Sequence, residues 1–312
     1  MGNRSEADMQ RDIIKIAYYH YKLGMNQNEI ADKLQVSRQK VSRLLKRAID
    51  ENVVRIEVLG YNGSHVELEN RLESMYGLQE VIVKDTGSQL GEAVNTYLDR
   101  VLVDGFNVGI TFGNTLAQMV EASNRPQRRE NVSVVQLLGC MNGNNITGRM
   151  DILTNQVAAM LNGSVHILYV PGIIENPELK QLFMSESKCM EVVKKYKKLD
   201  IAFVGIGAPT EDSVVTQMGF LSMQEYEILK KKGCVGDVAL RFIDDQGRVV
   251  DPEFNNKVTG IELLDYMSIP LRVGISYGTI KVKPLVGAVR GKYINVLITD
   301  VATAKEMLTY GP

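Results

Sequence analysis

One stretch limits what this chain can fold into more than any other: residues 25–47, MNQNEIADKLQVSRQKVSRLLKR. Ile30, Ala31 and Leu34 fall at helical spacing, so the segment 27–34 is expected to be a helix. Gln35 and Val36 interrupt it. Ser37 is a natural N-cap for a second helix, with Val41, Leu44 and Leu45 as its apolar stripe. Small Ala31 suits a close helix crossing, and Val36 and Val41 fill the angle between the two helices. The turn of such a unit usually carries Gly where this chain has Gln35. Gln35 is therefore expected to adopt a left-handed conformation at a modest cost. The pattern predicts a helix-turn-helix.

The remaining positions of the second helix are Arg38, Gln39, Lys40, Ser42, Arg43, Lys46 and Arg47; all are polar, five are cationic and none is acidic. Arg and Gln make paired hydrogen bonds to base edges, while Ser, Lys and flanking Arg hold phosphates. The candidate DNA contacts are Gln27, Ser37, Arg38, Gln39, Lys40, Ser42, Arg43 and Lys46. A basic solvated helix is the plainer alternative. Cap, stripe and cationic face coincide in one window, which favours double-stranded DNA.

The chain has 312 residues, too many for one small domain and suited to a small module followed by a larger one. Its net charge is −1, so the basic residues that matter are local. No apolar run reaches membrane-spanning length and the N-terminus begins polar, which predicts a cytoplasmic protein with no membrane partner. Cys140, Cys189 and Cys234 are far apart and odd in number, which predicts reduced thiols and neither metal nor disulfide.

Residues 11–23 read as a first helix packing over the helix-turn-helix. Residues 52–58 alternate apolar and charged side chains, the mark of a strand, and predict a wing beside it. GYNGS at 60–64 sets the boundary, giving a DNA-binding domain at 1–59 and an effector and oligomerisation domain at 60–312. A short amphipathic helix at 66–76 is a candidate dimer contact. Beyond residue 78, strands and helices alternate. Strands are expected at 80–84, 107–111, 132–138, 164–170, 201–206, 238–242, 272–276 and 295–299. Apolar strands between helices imply an α/β domain with a mostly parallel sheet covered on both faces.

In such a sheet, ligands sit beyond the carboxyl ends of the strands. After the strand ending at Thr111 come Phe112, Gly113, Asn114 and Thr115, leading into a helix. A Gly turn with polar residues at a helix N-terminus makes an anion cradle, most naturally for phosphate. An ordinary capped turn explains the same pattern equally well. Gly139 opens a polar loop after the next strand. Residues 205–209, GIGAP, read as a tight turn with no chemistry of their own. Asp237 suits sugar hydroxyls or a capping role. Lys281 suits a phosphate or bare solvent. Their common position at one sheet edge is what raises them.

The ordered series VGITFGNTL (108–116), VVQLLG (134–139), LDIAFVGIG (199–207), GCVGDVALRFIDDQG (233–247), VGISYGTIK (273–281) and GKYINVLITDVATA (291–304) resembles the SorC family of bacterial sugar-responsive transcription regulators. The resemblance covers nearly the whole chain. It implies a sugar-phosphate isomerase-like effector domain, a phosphorylated sugar or similar metabolite as effector, and a homodimer or homotetramer. By position it makes residues 112–115 the phosphate-side loop, with Asp237 on hydroxyls and Lys281 facing the phosphate. Some relatives carry Lys or Arg where this chain has Leu138. Leucine forms neither an imine nor a charge contact, which favours a monophosphorylated ligand.

The competing reading is an enzyme, because this fold also hosts isomerases and deaminases. An isomerase needs a positioned general base. Asp237 is the one convincing acid near the inferred site and no His accompanies it. The sequence therefore points to a regulator, with no cofactor and no catalytic residue.

Overall fold

The computed structural model describes residues 6–56, 65–122, 129–140 and 150–312, apart from 212 and 218. The chain divides into two compact units, Met1–Tyr61 and Asn62–Pro312.

The first unit is built from α1 (Glu6–Ala17), α2 (Gln27–Leu34) and α3 (Arg38–Asp50), with a π-helical turn at Tyr18–Lys22 closing α1. Asn26 caps α2 through its side chain, and Glu29 reaches back to the Asn26 N–H at 2.7 Å, a complete capping box. Gln35 sits at φ 51°, ψ 48°, the left-handed turn residue that the spacing requires. Ser37 Oγ accepts the Lys40 N–H at 3.2 Å. Ile13, Ile16, Ile30, Val41, Leu44 and Leu45 form the core.

The expected wing does not form among the described residues 52–56. Asn52 turns left-handed at φ 57°, and the Val54 N–H returns to the Ala48 carbonyl at 2.9 Å. Val53 and Val54 pack on the helical core instead. Their apolar character serves that wrap rather than a ladder. Residues 57–64, with the end of the expected strand and the expected boundary, lie outside the described residues.

In the second unit α4 (Val66–Tyr76) leads into β1 (Glu80–Lys84), then α5 (Leu90–Val101), β2 (Asn107–Ile110) and α6 (Asn114–Glu121). There follow β3 (Ser133–Gln136), α7 (Met150–Leu161), β4 (Ser164–His166), α8 (Pro177–Ser185), α9 (Ser187–Tyr196) and β5 (Ile201–Gly207). Next come α10 (Val214–Gln217), α11 (Met223–Lys231), β6 (Gly236–Val238), β7 (Arg241–Ile243), α12 (Pro252–Lys257) and α13 (Leu263–Met267). β8 (Leu271–Ile275), α14 (Val282–Arg290), β9 (Val296–Asp300) and α15 (Val301–Met307) finish the chain.

Seven strands run parallel in the order β1-β9-β8-β5-β2-β3-β4. Alternate residues of β5 point to opposite faces. Ile201 and Phe203 join the core under α5, α6 and α7, and Ala202 and Val204 the core under α4, α9 and α14. Both faces are thus covered, as continuous apolar strands demand. The strand expected at 238–242 is instead the antiparallel hairpin β6–β7, paired on β5 through Ile206–Val238. Its two-residue turn, Ala239 and Leu240, is left-handed at both positions, φ 49° and 61°. A turn of this kind normally signals itself through Asn-Gly, so nothing local announced it.

Candidate functional site

The chain runs β2, β3, β4 outward to one side and β5, β8, β9 outward to the other. The order reverses between β2 and β5, where the loops splay apart and leave a crevice beyond the strand ends. A cavity of ≈ 460 Å3 lies there. Of the residues expected to bind effector, Thr111, Phe112, Gly113, Asn114, Thr115, Asp237 and Lys281 all line it. Segments more than 160 residues apart in sequence meet because β5 pairs with both β2 and β8.

Each wall has a local cause. Gly113 takes φ 133°, ψ 152°, a conformation essentially confined to glycine, and begins α6 with no side chain capping it. The first N–H groups of α6 therefore have no partner inside the helix. Thr111 Oγ1 donates to the Phe203 carbonyl and accepts the Gly205 N–H, each at 3.4 Å, tying β2 to β5 beneath the crevice. Lys281 Nζ donates to the Ile206 carbonyl at 3.0 Å. Asp237 is buried; its Oδ2 accepts the Leu240 N–H at 3.2 Å, and its Oδ1 is buried with no partner. Oδ1 lies against Gly207, where a Cβ would come within 1.8 Å of it.

Gly139 stands apart from this cavity. Its N–H donates to the Thr259 carbonyl at 3.1 Å, and a Cβ there would meet Thr259 Oγ1 and the Val170 and Pro171 carbonyls. It is glycine because two other chain segments, 170–171 and 259, converge on it. Residues 141–143 of the same loop lie outside the described residues. Leu138 is likewise buried, bridged to Gly260.

On the first unit, Ser37, Arg38, Gln39, Ser42, Arg43 and Lys46 are exposed on α3, away from the buried Val41, Leu44, Leu45 and Ala48. Gln27 is partly exposed at the start of α2. Lys40 is turned toward α1, with Nζ 3.8 Å from Asp12. Arg47 pairs with Glu51 at 2.6 Å. The cationic face is thus narrower than the sequence suggests, and Lys40 is its least available member.

Residues 62–309 match the family model Sugar-bind, a sugar-binding domain, and residues 7–51 match Sigma-70, region 4. The sorbitol operon regulator of Klebsiella pneumoniae is 30% identical, over 97% of this chain and 99% of the relative. The chain belongs to the SorC family. Its relatives include the deoxyribonucleoside regulator of Bacillus subtilis, 27% identical over 97% of this chain and 99% of the relative. The crystal structure of the full-length Klebsiella pneumoniae regulator has a TM-score of 0.75 at 29% identity, covering 97% of this chain and 100% of that one. These SorC-family relatives are named as regulators, not enzymes.

Several residues that line the cavity in this SorC-family chain escaped the sequence reading: Gly207, Thr210, Ser213, Ala239, Tyr277 and Ile280. One signal was available. VGITFG and VGISYG are near copies, and they end the two strands that flank β5. Each delivers an aromatic residue and a positive-φ glycine, Gly113 and Gly278, to the same edge.

Burial pushes the Asp237 carboxyl up to about 6, against the partial relief of the Lys281 cation and the Leu240 N–H. Burial also lowers the Lys281 ammonium, which Asp237 partly restores. The folded acid therefore holds its proton more tightly than the unfolded one. Its contribution to stability is full below the ordinary value of 3.8 and is lost as pH rises through about 6. At 1.36 kcal/mol per unit the loss is about 3 kcal/mol. Asp237→Asn should flatten this part of the stability profile. Urea unfolding of both proteins from pH 4 to 8 checks it, and parallel profiles would place the slope elsewhere.

Proposed function

We propose that this SorC-family regulator binds a phosphorylated sugar, or a similar phosphorylated metabolite, in the cavity at the β2/β5 crevice. The bound effector shifts the population of DNA-competent homo-oligomers. One arrangement carries the reading: an uncapped helix start opened by Gly113, the Lys281 ammonium and an unsatisfied Asp237 oxygen surround the same space. The α6 N–H groups and Lys281 favour an anion. Asp237 Oδ1 needs a donor, which a hydroxyl supplies. On the first unit, α3 reads a half-site through Arg38, Gln39 and Arg43, with Ser37, Ser42, Lys46 and Gln27 toward the backbone.

A thermal-shift screen of the full chain against phosphorylated and free sugars tests the effector reading. Ligand at 100 times its Kd should stabilise the protein by about 2.7 kcal/mol. Lys281→Ala should weaken a phosphorylated hit by about 1.5–3 kcal/mol, the range of one charge-assisted hydrogen bond. A response to free sugars alone, or unchanged affinity in the variant, would count against a phosphate contact there.

A further inference from the structure

Resting on that reading, we infer that Tyr277 is the residue that reports a bound phosphoryl group to the start of α4, where the chain arriving from the smaller unit enters the larger one. Its hydroxyl meets the phosphoryl group. Its ring bears on the main chain of the turn after β1, and that turn holds α4 through Asp85 and His65.

The two near copies that flank β5 part company at their aromatic residues. Phe112 turns its ring to Phe220, with 5.9 Å between centroids, beside a core cluster. Tyr277 lines the cavity and carries a hydroxyl. Its oxygen accepts the Gln118 amide N–H at 3.3 Å. Gln118 stands one turn along α6 from Asn114, and a helical side chain of that length leans back toward the helix start, where the anion is placed. The Tyr277 O–H itself donates to nothing among the described residues, so a phosphoryl oxygen can accept it.

The ring leads elsewhere. A Cβ at Gly87 would fall on Tyr277 Cδ2 and Cε2, so the ring rests directly on main chain, with no side chain between them to turn aside. Gly87 is buried in a short 3-10 turn, Gly87–Gln89, that joins β1 to α5. Thr86 and Gln89 close that turn as a capping box, the Thr86 N–H donating to Gln89 Oε1 at 3.2 Å. Packed contacts of this kind move between arrangements rather than deform. Asp85 directly precedes the turn and accepts His65 Nε2 at 2.8 Å. His65 is the residue before α4. Further along α4, Glu69 and Glu73 accept the Val83 and Val81 N–H groups, both at 2.8 Å. Positions 65, 69 and 73 recur every four along the helix, and 85, 83 and 81 every two along the strand, about 6 Å and 6.6 Å per step. The match gears α4 to the edge of β1 that β9 leaves open. The larger unit begins only a few residues earlier, at Asn62.

Hydrogen exchange of the full chain, read by mass spectrometry, tests this with inorganic phosphate, ribose 5-phosphate and glucose 6-phosphate as probes. A probe that binds should slow exchange by about threefold or more in three segments: 112–117, 85–90 and 65–70. Each protein is compared with itself, probe present against absent, so packing lost without probe cancels. Tyr277→Phe keeps the ring and loses the O–H. At saturating probe it should keep the slowing at 112–117 and lose it in the other two segments. Asp85→Ala should lose it at 65–70 alone, with probe affinity unchanged. Slowing in all three segments of saturated Tyr277→Phe, or at 65–70 in Asp85→Ala, overturns the inference, as does a wild type slowed at 112–117 alone. In each of these cases the phosphate site stands. If none of the three probes changes exchange at 112–117, the phosphate reading fails and takes the inference with it.

Discussion

Arg38→Ala should lower affinity for the operator by about 1–3 kcal/mol and leave binding to scrambled duplex little changed. Arg38 is the first residue of α3, exposed and directly after the Ser37 cap. The N-terminal residues of such a helix are the ones that meet base edges, and a bidentate arginine discriminates its base by that amount. Lys46→Ala differs in kind. It lies two turns further on, where a lysine holds a phosphate, so its loss should weaken specific and scrambled binding alike and reduce the salt dependence. Fluorescence anisotropy with both duplexes at several salt concentrations separates the two. An Arg38→Ala protein that loses affinity equally for both duplexes would make Arg38 a backbone contact.

Gly207→Ala carries the other large effect. The added methyl would sit 1.8 Å from Asp237 Oδ1, and Asp237 is held from the other side by the Leu240 N–H. Nor can the strands move apart freely, because Gly207 is paired with Asp237 in the β5–β6 ladder. The variant should lose about 1–3 kcal/mol of stability, the range for overpacking, together with its response to effector. Removing the carboxylate as well should recover much of the stability. In urea unfolding, Gly207→Ala with Asp237→Ala should therefore be more stable than Gly207→Ala alone, a coupling of roughly 0.5–3 kcal/mol. Additive losses would show that the methyl clashes with something other than Asp237.

The helix-turn-helix was legible because its signals are local. Ser37, Gln35 and the Val41–Leu44–Leu45 stripe each act within four residues of their own position. The strand–helix rhythm was legible for the same reason, and strand-end loops then gathered seven candidate residues at one cavity. What stayed hidden depends on distant partners. Asp12 draws Lys40 aside from 28 positions away. Thr259 and Pro171 turn Gly139 into a packing residue. Ala239 and Leu240 take left-handed backbone that their side chains disfavour, held there by Asp237 and by Arg241, whose guanidinium donates to the Ala239 carbonyl at 2.8 Å. Among the described residues 52–56 no wing strand forms, because Val53 and Val54 pack on helices rather than beside a neighbouring strand.

The sheet also fixes a schedule. β1 pairs with β9, joining Glu80 to Val296 and Lys84 to Asp300. The first strand of the larger unit must wait for the last. The core of the smaller unit is complete by Val54. On a ribosome adding 5–20 residues per second, the roughly 250 residues between them take on the order of 10–50 s. During that interval the nascent chain carries a finished helix-turn-helix and an unfinished receptor. A message broken anywhere before β9 leaves that state permanent: a fragment with its helix-turn-helix core complete and the partner strand of β1 missing. Alleles truncated late in the gene should therefore yield a folded helix-turn-helix attached to an unfinished sheet.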